Sequence, residues 1–384
     1  MSGPARQPGV VSVGEPVLQG DAVIGAVLGA ALLASGEVDR GTHGFHTWPA
    51  GLHPDAAALV IEAFPGRSVL DPFCGGGTVL VEARIAGRVA IGRDVSPIAL
   101  MVASGRATTW TEEQLTRARS AARKATELAQ RATEQPPEQM HRVLQGWYHP
   151  HVLAELESLR RSMLEADEEI RPILRLCFSS ILVKTSFRVS DTSARRQVRD
   201  RPRGTTSVLF HKKVREYGRR VAALRELVPE GTPAPHVARG DARRLSLRHP
   251  VQLALTSPPY PSTYDYLPLQ LLRSVWLGLE EGQGEIGSRR SWRKGEAEAR
   301  RRWADDTIGW TRKVAAALEP GGHLVVVVGD GLTPSGAVDA LGPTLDAGRA
   351  AGMELVARAT VGRRDHAREA ERLEHAVAFR RAID

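Results

Sequence analysis

The chain has 384 residues, 42% of them hydrophobic and 25% charged, which is enough for one large core or two smaller ones in an ordinary folded protein. A formal charge of +8 leaves an unpaired basic surface whose commonest partner is a polyanion, although the heavy use of Arg and Ala throughout would produce the same balance. Only Cys74 and Cys177 occur, which excludes a disulfide framework and a cysteine-built zinc site and suits a reducing cytoplasm.

In chain order, residues 1 to 20 are rich in Gly, Pro and Ser without periodicity and are expected to be a loose, disordered tail. The most apolar run, Ala22 to Ser35, follows Asp21 with no basic flank and is too short to cross a bilayer, so it reads as a buried helix and no membrane partner is expected. Residues 41–54 mix Gly, Pro, His and Trp and read as an ordered loop before a helix from Asp55 to Phe64. His43, His46 and His53 have no carboxylate or Cys at ligand spacing, so loop hydrogen bonding is expected and no metal. A strand over Arg67 to Asp71 then turns through Gly75-Gly76-Gly77-Thr78 into a helix from Val79 to Ala86, and a second strand from Val89 ends at Asp94. This strand-helix-strand unit implies a parallel α/β sheet.

Helical patterns follow over about 111–134, 150–166 and 172–187, then a basic segment from Arg188 to Gly204 and a helix from about Lys212 to Leu227. Strands resume at His236 to Asp241, Val251 to Thr256, His323 to Val328, Met353 to Thr360 and Glu374 to Phe379. The expected organisation is a catalytic domain in two parts, 21–104 and 236–384, interrupted by a basic helical insertion over 105–235.

Two constellations carry chemistry. Asp71-Pro72-Phe73-Cys74-Gly75-Gly76-Gly77-Thr78 places three glycines at the carboxyl end of a strand, where open α/β sheets bind cofactors and a bare backbone lets a ligand approach. No Lys-Ser or Lys-Thr follows the glycines, so a nucleoside triphosphate is not the expected ligand. Asp94 ends the second strand, where an acid either holds ribose hydroxyls or caps the helix opening at Pro97; Asp241 after the third strand either reaches an adenine amino group or caps a turn.

The second constellation is Thr256-Ser257-Pro258-Pro259-Tyr260, closing a buried strand. Two prolines fix the turn and leave carbonyl oxygens without local donors. An exocyclic amine can donate to the Ser257 hydroxyl and the Pro258 carbonyl while Tyr260 offers a face for stacking. No strong base is needed, because the amine can lose its proton after transfer.

Together these motifs resemble the amino-methyltransferases that act on adenine N6 or cytosine N4 in DNA. His46-Thr47-Trp48-Pro49-Ala50 is similar to that family's amino-terminal cofactor motif, and Glu319-Pro320-Gly321-Gly322 is similar to its later strand-entry turn. The resemblance implies a Rossmann-like class I methyltransferase, an α/β fold with a mostly parallel seven-stranded sheet and S-adenosylmethionine as cofactor. It implies cofactor contacts from His46, Trp48, Asp71, Pro72, Phe73, Gly75, Gly77, Thr78, Asp94 and Asp241. It implies that Ser257, Pro258, Pro259 and Tyr260 hold the flipped base, with Ser257 tilting the target toward cytosine N4. Carbon-5 methylation needs a Cys nucleophile beside the base, whereas Cys74 lies in the cofactor loop; Cys177 reads as a core residue.

Within the insertion, Arg188, Arg195, Arg196, Arg199, Arg201, Arg203, Lys212 and Lys213 form a basic run that either neutralises phosphates, of DNA first and RNA second, or is solvated surface. Trp292 and Trp303, amid Arg and Lys, either grip nucleic acid or anchor a helix on the core. Site-specific DNA methylation is the expected activity, with a restriction endonuclease or defence-system partner left open, an RNA guanine or adenine methyltransferase the nearest rival enzyme, and an inactive nucleic-acid-binding protein the rival of another class.

Overall fold

The computed structural model describes residues 10–49, 51–280, 284–365 and 370–383. The chain opens with β1 (Val10–Gly20), α1 (Ala22–Leu33), α2 (Pro54–Ala63), β2 (Ser68–Asp71), α3 (Thr78–Ile85), β3 (Val89–Asp94) and α4 (Pro97–Ala107). A helical block follows with α5 (Glu112–Gln130), α6 (Glu138–Leu144), α7 (Pro150–Glu165) and α8 (Arg171–Thr185), the short hairpin β4 (Arg188–Ser190) and β5 (Ser193–Arg196), and α9 (Thr205–Leu227). Then come β6 (His236–Arg239), β7 (Val251–Thr256), α10 (Tyr266–Leu277), α11 (Arg289–Lys294) and α12 (Glu296–Ala317). The chain closes with β8 (Leu318–Gly329), β9 (Gly331–Thr333), β10 (Gly336–Val338), α13 (Leu341–Ala350), β11 (Met353–Asp365) and β12 (Ala370–Arg381).

The main sheet has eight strands in the order β1-β11-β12-β8-β7-β2-β3-β6. The run from β8 to β6 is parallel throughout, while β12 pairs antiparallel with β8 and with β11. Alternation along the strands divides the core between two faces. Val69, Leu253, Leu255, Val325 and Val327 pack beneath α1, α2 and α3, whereas Leu70, Ala254, Leu324, Val326 and Val328 meet Trp303, Trp310 and Val314 of α12 on the other face. A third cluster fills the helical block and reaches Phe45 and Trp276.

Seven strands are the expected number, and the eighth is β1. Residues 10–20 were expected in a loose tail, but they pair antiparallel with β11 from Val10↔Asp365 to Gly20↔Ala357, with a register shift between Val13 and Val17. Gly14 and Pro16 hide the pattern from a reading by period, and an edge strand tolerates both at such a shift. Residues 1–9 of that expected tail lie outside the described residues. The last helix of the block also begins earlier than expected, at Thr205, because Gly204 adopts φ 85° and serves as its N-cap.

β2 lies between β7 and β3, so the chain order reverses at its carboxyl end. Such a reversal leaves a crevice above the sheet, and open α/β sheets bind ligands there.

Candidate active site

At the end of β2 the backbone bends through Gly75, Gly76 and Gly77 into α3. Gly77 has φ 79°, and a Cβ there would sit 2.7 Å from the Ala103 Cα; Gly75 has φ 43°, and its Cβ would sit 2.7 Å from Trp48 Nε1. The bend therefore requires glycine both for its left-handed conformation and because Trp48 and α4 close on it. From behind, Arg106 Nη1 donates to the Gly76 carbonyl at 2.7 Å and Nη2 to His43 Nδ1 at 3.0 Å. Burial lowers the His43 pKa, and its Nε2 donates to Glu82 at 2.6 Å.

Asp71 and Asp94 face each other across the bend. Thr256 Oγ1 donates to Asp71 at 2.7 Å and the Phe73 N–H at 3.1 Å. Burial still pushes the Asp71 carboxyl up to about 7, with the negative charge of Asp94 adding to the shift. Asp94 accepts from the N–H groups of Ser96 at 2.9 Å and Gly75 at 3.0 Å, and burial raises its pKa against those bonds. Ser96, not Asp94, is the N-cap of α4. Asp241 behaves differently: burial would raise it, but Arg243, whose Nη2 lies 2.7 Å away, outweighs burial and holds it below its usual value.

Across the crevice β7 ends in the double-proline turn. Trp303 Nε1 donates to the Pro259 carbonyl at 3.2 Å, and Ser257 Oγ lies 3.5 Å from the Tyr260 hydroxyl. The Tyr260 ring packs on β8, where a Cβ at Gly329 would come within 2.6 Å of it, and its hydroxyl donates to Glu374 at 2.9 Å. Burial and the neighbouring Glu374 charge hold this phenol neutral, its pKa well above the ordinary value.

One cavity joins the two bends. Among the residues marked from sequence, Trp48, Asp71, Pro72, Phe73, Gly75, Thr78, Asp94, Asp241, Ser257 and Pro259 line it. Gly77, Pro258 and Tyr260 are not among its lining residues. His46 departs from the expected cofactor contact. It is 4% exposed, holds φ 67°, and its Nε2 meets Ser179 Oγ of α8 at 2.9 Å, so its ring is directed into the helical block and away from the cavity. Ala50 of the same motif lies outside the described residues. Sequence reasoning missed Tyr266, Leu267 and Gln270 of α10 and Glu285 and Ile286 of the loop after it. The one available signal was Gln270, an uncharged polar residue set among Leu267, Leu269, Leu271 and Leu272.

The basic run is divided by the fold. Arg195, Arg196, Arg199, Arg203 and Lys212 are exposed, with Arg196 stacked 5.1 Å from the Trp147 ring, and Arg201, Arg203 and Lys212 rim a second, open cleft. Arg188 and Lys213 do not join that surface. Arg188 is 3% exposed and donates to the carbonyls of Ser193, Leu269 and Pro268 at 2.8, 2.6 and 3.1 Å. Lys213 pairs with Glu216 at 2.6 Å and lies over the Phe45 ring. Trp292 of α11 and Trp303 of α12 are both buried in the core, which is the anchoring alternative. Cys74 is buried with its thiol pKa well up, and so is Cys177. Among the described residues no helix is long and apolar enough to cross a membrane, and no group of three or more His, Cys, Asp or Glu is placed to hold a metal.

The strand order and the cavity at its reversal define a Rossmann-like methyltransferase fold, and S-adenosylmethionine is the methyl donor of that class. Asp71 and Asp94 fit this donor: Asp71 is buried and Asp94 half-buried, with backbone and hydroxyl donors and no Lys or Arg partner among the described residues, which favours a cationic ligand. Residues 47–144 match the UPF0020 family model, the RMKL-like methyltransferase domain. No curated protein sequence matches the chain. Similar solved structures include TrmN from Thermus thermophilus at 13% identity, covering 86% of this chain and 48% of that one with a TM-score of 0.34. The chain thus spans about half the length of TrmN. The rRNA methyltransferase aviRa from Streptomyces viridochromogenes is similar at 15% identity, covering 88% of this chain and 89% of that one, TM-score 0.34. A SAM-dependent methyltransferase from Methanosarcina mazei is similar at 9% identity, covering 85% and 98%, TM-score 0.34.

Proposed function

We propose that this protein methylates an exocyclic amino group of a nucleic-acid base, with cytosine N4 in DNA as the first target. The observation that carries the reading is the sharing of one cavity by Ser257 and Pro259 of the double-proline turn with Gly75, Asp71 and Asp94 of the glycine bend. The bound donor supplies a sulfonium methyl group to a nitrogen lone pair. Asp94 would hold the ribose hydroxyls, and Asp71, ionised above about pH 7, the positive end of the donor. Ser257 Oγ, on the cavity wall, would accept an amine hydrogen and thereby help turn the nitrogen lone pair toward the methyl group. The proton released from nitrogen passes to solvent. Because the Tyr260 ring rests on Gly329 and its hydroxyl is tied to Glu374, its task is to hold the turn and not to stack on the base.

A base inside a duplex cannot reach this cavity, so the target is either flipped out or already single-stranded. Arg195, Arg196, Arg199, Arg203 and Lys212 supply the exposed charge for the phosphates. The test expresses wild-type and Ser257→Ala protein, digests host DNA and RNA to nucleosides, and identifies methylated bases by mass spectrometry. N4-methylcytosine in DNA that depends on Ser257 is the expected result. N6-methyladenine in DNA, or a methylated guanine amine in RNA, would replace the target and keep the chemistry. Failure of the wild-type protein to bind S-adenosylmethionine in calorimetry would leave an inactive nucleic-acid-binding protein.

A further inference from the structure

The assignments above leave Gln270 without a task. It enters the cavity wall from α10 and is 1% exposed, and its amide is only half satisfied. Oε1 accepts from Arg273 Nη1 at 3.0 Å, whereas Nε2 has no partner among the described residues. The orientation of the amide is fixed. Arg273 is itself buried, ion-paired with Asp191, and donates from Nε to the Ser179 carbonyl at 3.3 Å. A guanidinium offers donors only, so the amide oxygen must face it and the nitrogen must face away.

A buried donor without an acceptor is costly, and a residue on a cavity wall can be satisfied by what fills the cavity. The carboxyl groups lining this cavity, Asp71, Asp94, Asp241 and Glu285, would repel an anion, and no Lys, Arg or His is among the described lining residues to hold one. A ligand with a positive and a negative group must therefore place its negative end elsewhere. Gln270 Nε2, polarised by the Arg273 charge behind it, is a donor for that end, and the first turn of α3, whose N-cap Gly77 has no side-chain cap, adds backbone N–H groups. We infer that Gln270 Nε2 donates to the α-carboxylate at the amino-acid end of the methyl donor. The inference rests on the donor being S-adenosylmethionine and is independent of which base is methylated.

Calorimetry with the full chain tests it, using S-adenosylmethionine and its decarboxylated analogue as ligands. Gln270→Glu keeps an acceptor for Arg273 but replaces the N–H donor by a negatively charged oxygen. Its affinity for S-adenosylmethionine should fall about tenfold or more, and its affinity for the decarboxylated analogue should not fall. Gln270→Leu should show the same selective loss at smaller size, with thermal melting confirming that each variant is folded. Equal losses on both ligands, or none on either, overturn the inference and leave the methyltransferase reading intact. A wild-type protein that binds neither ligand overturns that reading, and this inference with it.

Discussion

Around the helical insertion three buried cations are answered by the protein itself. Arg273 meets Asp191, Lys213 meets Glu216, and Arg188 distributes its guanidinium over three carbonyls. At the carboxyl rim of the sheet, Asp71 is buried and Asp94 half-buried, with only hydroxyl and backbone donors. Burying a charge is costly in both places, and the two regions offset the cost differently. A charge answered within the fold is part of the architecture. A charge left without a counter-ion in a cavity marks where a ligand of opposite sign belongs.

The largest test of this contrast is Arg273→Met. It leaves Asp191 buried without its partner and should cost about 3–5 kcal/mol, read as a fall in the denaturant midpoint. A loss below about 1 kcal/mol would remove the distinction between the two regions. Next is Gly77→Ala, which forces a side chain into the left-handed region against Ala103. It should destabilise the protein by about 2–3 kcal/mol and weaken donor binding together, as measured by melting and calorimetry.

The pH dependence of donor binding is smaller. Asp71 titrates at about 7, so a cationic donor meets an ionised carboxylate above that value. Affinity should hold above pH 7 and fall by up to about tenfold per pH unit below it. The same shift has the opposite sense for stability. A carboxyl raised from 3.8 to about 7 by folding favours the folded state below 3.8, and that contribution is lost as pH rises to about 7. A flat calorimetric profile between pH 6 and 8 would show that Asp71 does not face the positive end of the ligand.

The smallest effects on stability belong to the exposed cations. Replacing Arg195, Arg199, Arg203 or Lys212 singly by Ala should change stability by no more than about 0.5 kcal/mol. Each should reduce the salt dependence of nucleic-acid binding by about one unit of slope, whereas Arg188→Ala should instead lower the melting temperature.

From residue order alone came the parallel strands expected at Arg67 to Asp71, Val89 to Asp94 and Val251 to Thr256, observed within one residue of those bounds, and the two bends that follow the first and the last. These are local matters. Period-2 apolar runs, three adjacent glycines and two adjacent prolines restrict the backbone through near neighbours, so they can be read before any fold is known. Which side chains reach the cavity was decided elsewhere. His46 turned inward because Ser179 lies 133 positions away in sequence but 2.9 Å away in space. Arg188 left the surface because its partners Pro268 and Leu269 come from α10, about 80 residues on. β1 was hidden by Gly14 and Pro16 and exists because β11 offers it an edge. Gln270 gave no sign of function in the sequence beyond its polarity. Its free amide nitrogen follows from Arg273 holding the oxygen, and Arg273 is held in turn by Asp191 from the hairpin segment. Burial and hydrogen-bond satisfaction depend on contacts between distant segments, and only the tertiary structure brings those segments together.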